Sequence, residues 1–407
     1  MIPKARPDLG MTDLLSIAYP NATRREFEQA VAARSGAQCG LAFTYAHAGF
    51  FALLKALDLT QAEIILPAYT CNIMPEVVVA TGNVPIFVDI DLADYNMNLQ
   101  ALKSAITTRT KVIVATHMFG YPTDIDAIRE IAGDEQITIL EDAALVFPGS
   151  TSGSNGLRGD VGLFSFGPGK PLFTIRGGAI VTNNLSLYEK LSTYRNDHMN
   201  HLPPREKIKR WTLLMIHYLL SKRMISSAAL RLRLSKSTIH NVTSRLRPPK
   251  PKNGQTRLTS SLPNDYATRY ANFQARIGLG QLRKSDLVLA RRRSLSKLYS
   301  EILREIPGLT PAPIIDGACY SPYTVRVENR DALHFCQQMR AQGIETGTTF
   351  NYALPGLKKY RPYAQGHYPC AQQTSREVVN FPAYTALTDE QVHYIADTAR
   401  RILCANH

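Results

Sequence analysis

Short apolar runs alternate with helix-like segments through the first three hundred residues, and this alternation is the strongest constraint on the fold of the chain. The strand-like runs are Glu63–Pro67, Val84–Val88, Lys111–Ala115 and Ile137–Leu140. Helix-like stretches such as residues 124–132 lie between them. Runs that are apolar throughout are typical of strands buried on both faces. The pattern therefore predicts an α/β fold, in which a mostly parallel sheet is flanked by helices.

The chain is too long for one small core. With 407 residues, of which 44% are hydrophobic and 20% charged, it is expected to form two globular domains. Strand patterns such as Tyr323–Val327 and helix patterns such as residues 330–342 predict a smaller C-terminal α+β domain with two or three strands and two helices. The expected divisions are a large domain over residues 1–204, a basic amphipathic insertion over 205–257, a helical return over 258–306 and the small domain over 307–407. The helical return is expected to contain one long helix, over residues 272–301.

The net charge of +14 is concentrated in the insertion. Between Arg205 and Arg257 there are fourteen Lys and Arg but only one acid, Glu206, so this segment carries +13. A nucleic-acid-binding surface would spread its charge differently, so no nucleic-acid partner is expected. The apolar run at 211–220 is shorter than the roughly 20 residues that a membrane-spanning helix needs. Three roles stay open for this segment. It could be an amphipathic element that lies on an anionic membrane, an element that binds an acidic carrier protein, or a basic lid that attracts a nucleotide diphosphate.

The six cysteines are scattered and form neither a C-x-x-C pair nor a metal-ligand spacing. This pattern suits a reducing compartment and predicts no metal site. The N-terminal residues lead into no apolar segment of the kind found in signal peptides. A cytoplasmic protein is expected, with peripheral attachment to a membrane left open.

The candidate catalytic residues gather around Lys170. This lysine closes the stretch Ser165–Lys170, stands 28 positions after Asp142 at the end of an apolar run, and is followed by Gly177 and Gly178. Each piece alone is weak, because a lone lysine is usually a solvated surface residue. Together, an amine, a strand-end carboxylate and a hydroxyl suit pyridoxal 5′-phosphate (PLP). The lysine would form the Schiff base, the carboxylate would hold the pyridine nitrogen protonated, and the serine would contact the phosphate.

A set of further motifs extends over most of the chain outside the insertion. They are Pro67–Thr70, Val84–Asp91 with Asp94–Asn96, His117–Gly120, Glu141–Ala144, Ser165–Lys170, Gly177 and Gly178, Gln274 and Ala275 with Gly278–Leu282, and Gly343–Gly347. As an ordered set they resemble the DegT/DnrJ/EryC1/StrS family of PLP-dependent sugar aminotransferases, which have PLP fold type I.

The resemblance implies a role for each matched residue. Lys170 and Asp142 would be catalytic and would bind the cofactor. Ser165 would bind the phosphate. Ala46 and His47, where the family usually has Gly-Thr, could offer backbone N–H groups to the phosphate at the start of a helix. The resemblance also implies glutamate or glutamine as amino donor, a nucleotide-linked keto-sugar as acceptor in surface polysaccharide or secondary-metabolite biosynthesis, and a homodimer whose partner chain contributes to the phosphate pocket.

The chain departs from the family pattern at several contact positions. Leu145 replaces a Gln or His that contacts the phenolic oxygen of the cofactor, Cys71 replaces an aromatic residue that often stacks on its ring, and Ala267 aligns with an Asn contributed by the partner subunit. The late His-Tyr pair appears as Thr349 and Phe350.

Tyr69, His117 or His47 could replace a lost ring contact. Three other functions stay open: dehydration, transamination of a lipid- or carrier-bound substrate, and a PLP-binding regulatory protein. The lysine at position 170 argues against dehydration, because the dehydratases of the family have histidine at this position.

Overall fold

A seven-stranded sheet forms the large domain of the computed structural model, which describes residues 1–18, 23–133, 136–149, 157–221 and 265–404. Its strands are β1 (Cys39–Phe43), β2 (Glu63–Pro67), β3 (Val84–Val88), β4 (Thr110–Thr116), β5 (Thr138–Asp142), β6 (Val161–Ser165) and β7 (Gly178–Thr182). The spatial order is β1-β7-β6-β5-β4-β2-β3, and β7 alone runs antiparallel to its neighbours. The predicted α/β class and the four predicted strands are confirmed.

Helices cover both faces of this sheet. They are α1 (Met11–Leu15), α2 (Arg24–Arg34), α3 (Ala46–Ala56), α4 (Ile73–Ala80), α5 (Leu99–Ala105), α6 (Ile125–Ala132), α7 (Leu185–His198) and α8 (Pro204–Leu220). Ile64 and Leu66 of β2 belong to one apolar core, whereas Ile65 between them belongs to another. Because successive strand residues point to opposite faces, these two cores lie on opposite sides of the sheet. This arrangement explains why the strands are apolar throughout.

The predicted long helix over 272–301 is two helices in the structure, α9 (Asn272–Arg283) and α10 (Ser285–Leu303). The chain departs from helical geometry at Lys284, where φ is −103° and ψ is 2°. The Lys284 ammonium pairs with the buried Asp13 carboxylate at 2.5 Å, and α9 packs on α1 and α2. Leu295 and Tyr299 of α10 pack instead into the core that extends into the C-terminal domain. The break therefore lets adjacent helices serve different cores.

The C-terminal domain contains a three-stranded antiparallel sheet of order β10-β9-β8. Its elements are β8 (Leu309–Pro311), β9 (Tyr323–Val327), α11 (Ala332–Ala341), α12 (Pro369–Glu377), β10 (Val378–Phe381) and α13 (Asp389–Cys404). The predicted small α+β domain is confirmed, although it has one more helix than expected among the described residues. The additional helix, α12, has only nine residues and is largely polar, near the lower limit of ordinary helix lengths.

Helix α8 is the described part of the predicted basic insertion. Leu213, Leu214 and Tyr218 are buried in a core that also contains Phe173 and Ile277. This face of α8 therefore packs on the large domain. None of the helices in the described ranges is both long and apolar enough to cross a bilayer. Residues 222–257 of the predicted insertion lie outside the described residues.

A buried arginine fixes α8 to the domain. Arg210 is 1% exposed, and its guanidinium donates to Asp265 at 2.9 Å and to Gln274 Oε1 at 2.8 Å. Gln274 in turn donates to the carbonyl oxygens of Thr174 and Arg176. The network therefore connects α8 and α9 to the chain segment that precedes β7.

Replacing Arg210 by Ala is expected to lower the free energy of unfolding by about 1–3 kcal/mol, because the change leaves the buried Gln274 Oε1 without its donor and removes one of the partners of Asp265. Urea unfolding followed by circular dichroism measures the effect. Arg205→Ala, at an exposed position on the same helix, serves as the control and should change stability by less than about 0.5 kcal/mol. Equal small losses in both variants would show that the buried pair does not hold α8.

Candidate active site

The predicted site residues lie at one edge of the large sheet. Strand pairing places Thr116, the last residue of β4, opposite Asp142, the last residue of β5. Ser165 at the end of β6 is paired with Gly178, where the antiparallel β7 begins. Lys170 follows β6 in the same loop that leads to β7. In open parallel sheets this edge, outside the carboxyl ends of the strands, is where ligands bind.

The carboxylate of Asp142 is buried at the centre of this edge. Asp142 is 5% exposed, and its Oδ1 accepts a hydrogen bond from the Ala144 N–H at 3.1 Å. Burial raises the pKa of Asp142, and the nearby positive charge of Lys170 opposes that shift. The protein therefore balances the negative charge of Asp142 only in part, so a cation bound against this carboxylate would be stabilised.

The N-terminus of α3 forms a second part of the site. Ala46 and His47 open this helix, whose N-cap Tyr45 makes no side-chain capping hydrogen bond. A Cβ atom on Gly178 would lie 2.3 Å from the Ala46 Cα, so only glycine allows β7 to approach the helix this closely. Backbone N–H groups at such a terminus suit a phosphate.

His47 carries an orphaned polar atom at this end of the site. Its Nε2 is buried and has no hydrogen-bond partner among the described residues. Burial lowers the pKa of His47 to about 4. The negative charge of Asp265 opposes this shift, and the positive charge of Arg176 adds to it. The imidazole is therefore neutral near pH 7, and its unpaired nitrogen lies beside a helix terminus that favours an anion. These residues fit the phosphate of PLP.

Two of the three side chains proposed as replacement contacts to the cofactor ring, His117 and Tyr69, form hydrogen bonds within the protein. His117 Nδ1 accepts a hydrogen bond from the Thr123 N–H at 3.0 Å, so its Nε2 donates to Glu141 at 3.0 Å. Burial alone would raise the pKa of Glu141, but the bond from His117 holds it below its ordinary value. The Tyr69 hydroxyl donates to the Phe350 carbonyl oxygen at 3.2 Å. Of the three replacement candidates, His47 keeps an unpaired ring nitrogen.

The residues that depart from the family pattern lie in different surroundings. Burial raises the pKa of the Cys71 thiol, and the charges of Lys170 and Asp142 both act on it, so Cys71 lies in the site. Leu145 is partly buried against the main apolar core. Ala267 is exposed, and its carbonyl oxygen accepts from the Asn200 N–H at 2.9 Å.

The C-terminal domain contributes residues that the sequence analysis missed. The Tyr352 hydroxyl accepts a hydrogen bond from the Asn72 N–H at 3.1 Å, and the Tyr360 hydroxyl donates to the Asn72 carbonyl oxygen at 2.5 Å. Lys359 forms an ion pair with Glu76. These contacts hold the C-terminal domain against the loop that carries Cys71. They join residues about 280 positions apart, and no sequence pattern indicates them.

Comparison with known proteins identifies the family. Residues 17–400 match the sequence profile of the DegT/DnrJ/EryC1/StrS aminotransferase family. The chain belongs to this family. The resemblance inferred from the motifs is confirmed, and with it the class of PLP-dependent aminotransferase.

Individual relatives cover nearly the whole chain. The chain is 26% identical to a UDP-N-acetyl-3-dehydro-α-D-glucosamine 3-aminotransferase of Acidithiobacillus ferrooxidans, with 93% of this chain and 88% of the relative aligned. It is 25% identical to the GDP-perosamine synthase of Escherichia coli O157:H7, with 92% and 88% aligned. The fold matches that of an E. coli GDP-4-keto-6-deoxy-D-mannose-3-dehydratase with bound hydrated PLP, with a TM-score of 0.76, 17% identity, and 98% and 99% coverage.

The chemistry of this aminotransferase follows from the two charged groups of the site. PLP, when bound, supplies a ring that accepts the electrons released when a proton leaves the donor carbon. Asp142 would hold the proton on the pyridine nitrogen. The Lys170 amine would hold the cofactor covalently, and once displaced by the donor it could move a proton between carbons as base and then acid. Ser165, Ala46 and His47 would hold the phosphate.

Lys170 is expected to be the single attachment point of the cofactor. Borohydride reduction of the loaded aminotransferase, followed by peptide mapping, should place the pyridoxyl group on Lys170. Lys170→Ala should lose both the label and turnover. A pyridoxyl group found on another lysine would refute the assignment.

Asp142→Asn is expected to retain cofactor and lose roughly 10- to 100-fold in kcat. An amide cannot stabilise the pyridinium charge as a carboxylate does, and a hydrogen bond to a charged group is worth roughly 1.5–3 kcal/mol. Steady-state rates at saturating donor, normalised to bound cofactor, measure the loss. A kcat near that of the wild type would contradict the role of Asp142.

Proposed function

We propose that this aminotransferase moves an amino group from glutamate or glutamine to a nucleotide-linked keto-sugar, in the biosynthesis of a surface polysaccharide or secondary metabolite. The observation that carries the proposal is the Lys170 amine beside the buried Asp142 carboxylate at the ligand-binding edge of the sheet. Relatives that cover most of the chain and are named for reactions of nucleotide sugars support the acceptor class.

Amino transfer is favoured over dehydration by Lys170 itself. The dehydratase of known structure shares the fold, so the fold does not separate the two reactions. The lysine at position 170 supplies the amine that the proton transfers of an aminotransferase need. Transamination of a lipid- or carrier-bound substrate uses the same residues and differs only in the acceptor.

The two half-reactions can be tested separately. Adding glutamate or glutamine to the loaded enzyme should convert the absorbance of the lysine-bound cofactor to that of the aminated form. A mass-spectrometric screen of UDP-, GDP- and dTDP-linked keto-sugars should then find one that gains an amino group and restores the original spectrum. Lys170→Ala is the control. If neither donor changes the spectrum, a PLP-binding regulatory protein becomes the better account.

The enzyme is further proposed to be a homodimer with its site at the subunit interface. Ile208, Trp211, Met215 and Leu219 form an exposed apolar stripe on α8, at helical spacing, that a second subunit could cover. A closed two-fold pair is also the commonest oligomer. Light scattering at assay concentration should give the mass of a dimer, and an active monomer would refute the proposal.

Contact with an anionic membrane or an acidic carrier through residues 205–257 stays a prediction. One face of α8 packs on the large domain, so within the described residues only the opposite face of this helix could make such a contact. If the segment contacts a membrane, flotation with anionic liposomes should be observed and should be sensitive to salt; its absence would remove the membrane contact and leave a protein partner or a basic lid over the site. None of the six cysteines is disulfide-bonded. The cytoplasmic location stays a prediction.

A further inference from the structure

A cavity of about 480 Å³ lies on the large domain and shares none of its lining residues with the Lys170 site. Tyr270 stands between the two regions. Tyr270 lines the cavity, and its ring packs on Phe166, the residue after Ser165, with centroids 6.4 Å apart. The cavity is within the size range of small-molecule sites, about 300–1,000 Å³.

The walls of this cavity are strongly basic. Arg24, Arg25, His201, Lys207 and Arg269 all line it, and within the described part of the chain no Asp or Glu does. Burial lowers the pKa of Arg24, and the positive charges of Arg195 and Arg269 lower it further against the opposing charge of Glu28. The cavity therefore concentrates positive charge that would stabilise an anion.

The carboxylates on α2 and α8, two of the helices that begin at the cavity, each have partners of their own. Glu28 pairs with Arg195 at 2.5 Å and lies 3.4 Å from Arg24, so two guanidinium groups share one carboxylate. Glu26 accepts a hydrogen bond from the Thr23 N–H at 2.6 Å, and Glu206 pairs with Lys209 at 3.4 Å. The Arg269 guanidinium donates to two backbone carbonyl oxygens, which leave its charge uncompensated.

Three helices begin at this cavity. The first turns of α2, α8 and α9 supply Arg24, Lys207 and Asn272 to its lining. Neither α8 nor α9 has a side-chain cap at its N-terminus. The positive ends of the three helix dipoles therefore add to the charge of the basic side chains.

Part of the remaining lining is apolar. Leu202, Tyr270 and Phe273 line it. Phe273 is backed by Trp211, whose ring stacks on it at 5.4 Å with an interplanar angle of 19°. Aromatic rings of this kind can stack on nucleobases. A ligand that joins a planar ring to a multiply charged anion would match both walls.

We propose that this cavity binds a nucleoside diphosphate, with its phosphates against Arg24, Arg25, Lys207 and Arg269 and its base against Phe273. Only residues of the cavity would contact this ligand, so its binding does not depend on which acceptor the enzyme aminates. The nucleoside supplies the planar ring, and the diphosphate supplies a charge large enough to use several of the basic groups.

Titration calorimetry with UDP and the PLP-loaded full-length protein tests the proposal. Arg25 and Lys207 are exposed, so Arg25→Gln/Lys207→Gln should fold normally. This double variant should bind UDP at least tenfold more weakly and with a smaller dependence on salt. Lys103→Gln/Lys297→Gln, which removes two exposed charges elsewhere, should bind UDP like the wild type. Unchanged UDP affinity in the Arg25/Lys207 variant would overturn the proposal.

Comparing the affinities for UDP and for inorganic pyrophosphate distinguishes the contribution of the basic side chains from that of the aromatic ones. Phe273→Leu should weaken UDP binding and leave pyrophosphate binding unchanged, whereas Phe273→Tyr should keep both. Equal affinities of the wild type for UDP and pyrophosphate would overturn the assignment to a nucleoside. The spectral change with an amino donor should be the same in all these variants, so a failure of the aminotransferase reaction would be seen independently of UDP binding.

Discussion

The buried carboxylate of Asp142 is the constraint on which the site depends. An ionised carboxylate in an apolar surrounding is costly unless a cation or hydrogen-bond donors accompany it. The protein supplies the Ala144 N–H and the nearby charge of Lys170, yet the pKa of Asp142 remains raised by burial. A protonated pyridine nitrogen would complete the balance. The same burial that destabilises the carboxylate's charge therefore favours a cofactor that brings its own positive charge.

The sequence predicted those parts of the fold that local patterns determine. Apolar runs located β2, β3, β4 and β5, because strands buried on both faces need apolar residues at every position. Motif order then placed Lys170, Asp142, Ser165, Ala46 and His47 in one site, and strand pairing brings the segments that carry these residues to one sheet edge. Their predicted roles toward the cofactor follow from the family resemblance and stay predictions.

Contacts between distant segments could not be predicted in this way. The break at Lys284 depends on the buried Asp13, and the clamp on the Cys71 loop depends on Tyr352 and Tyr360. No local pattern encodes such partners, since each residue alone suits a surface or a core equally well. The burial of Arg210 is the clearest case. Its sequence surroundings indicate a solvated basic face, and only the meeting of α8, α9 and Asp265 makes a buried site for it.

That buried arginine also connects the basic segment to the N-terminus of α3, the predicted phosphate-binding end of the site. Asp265 accepts hydrogen bonds from Arg210 at 2.9 Å and from the Tyr45 hydroxyl at 2.7 Å, and it lies 3.6 Å from Arg176. Burial alone would raise the pKa of Asp265, but these donors hold it below its ordinary value, so it stays ionised. Two guanidinium groups then face one carboxylate beside the N-terminus of α3. The excess positive charge lies where the helix begins at Ala46 and His47, and it is of the sign that a phosphate requires. The packing of α8 and the electrostatics of the cofactor site are thus parts of one charge network.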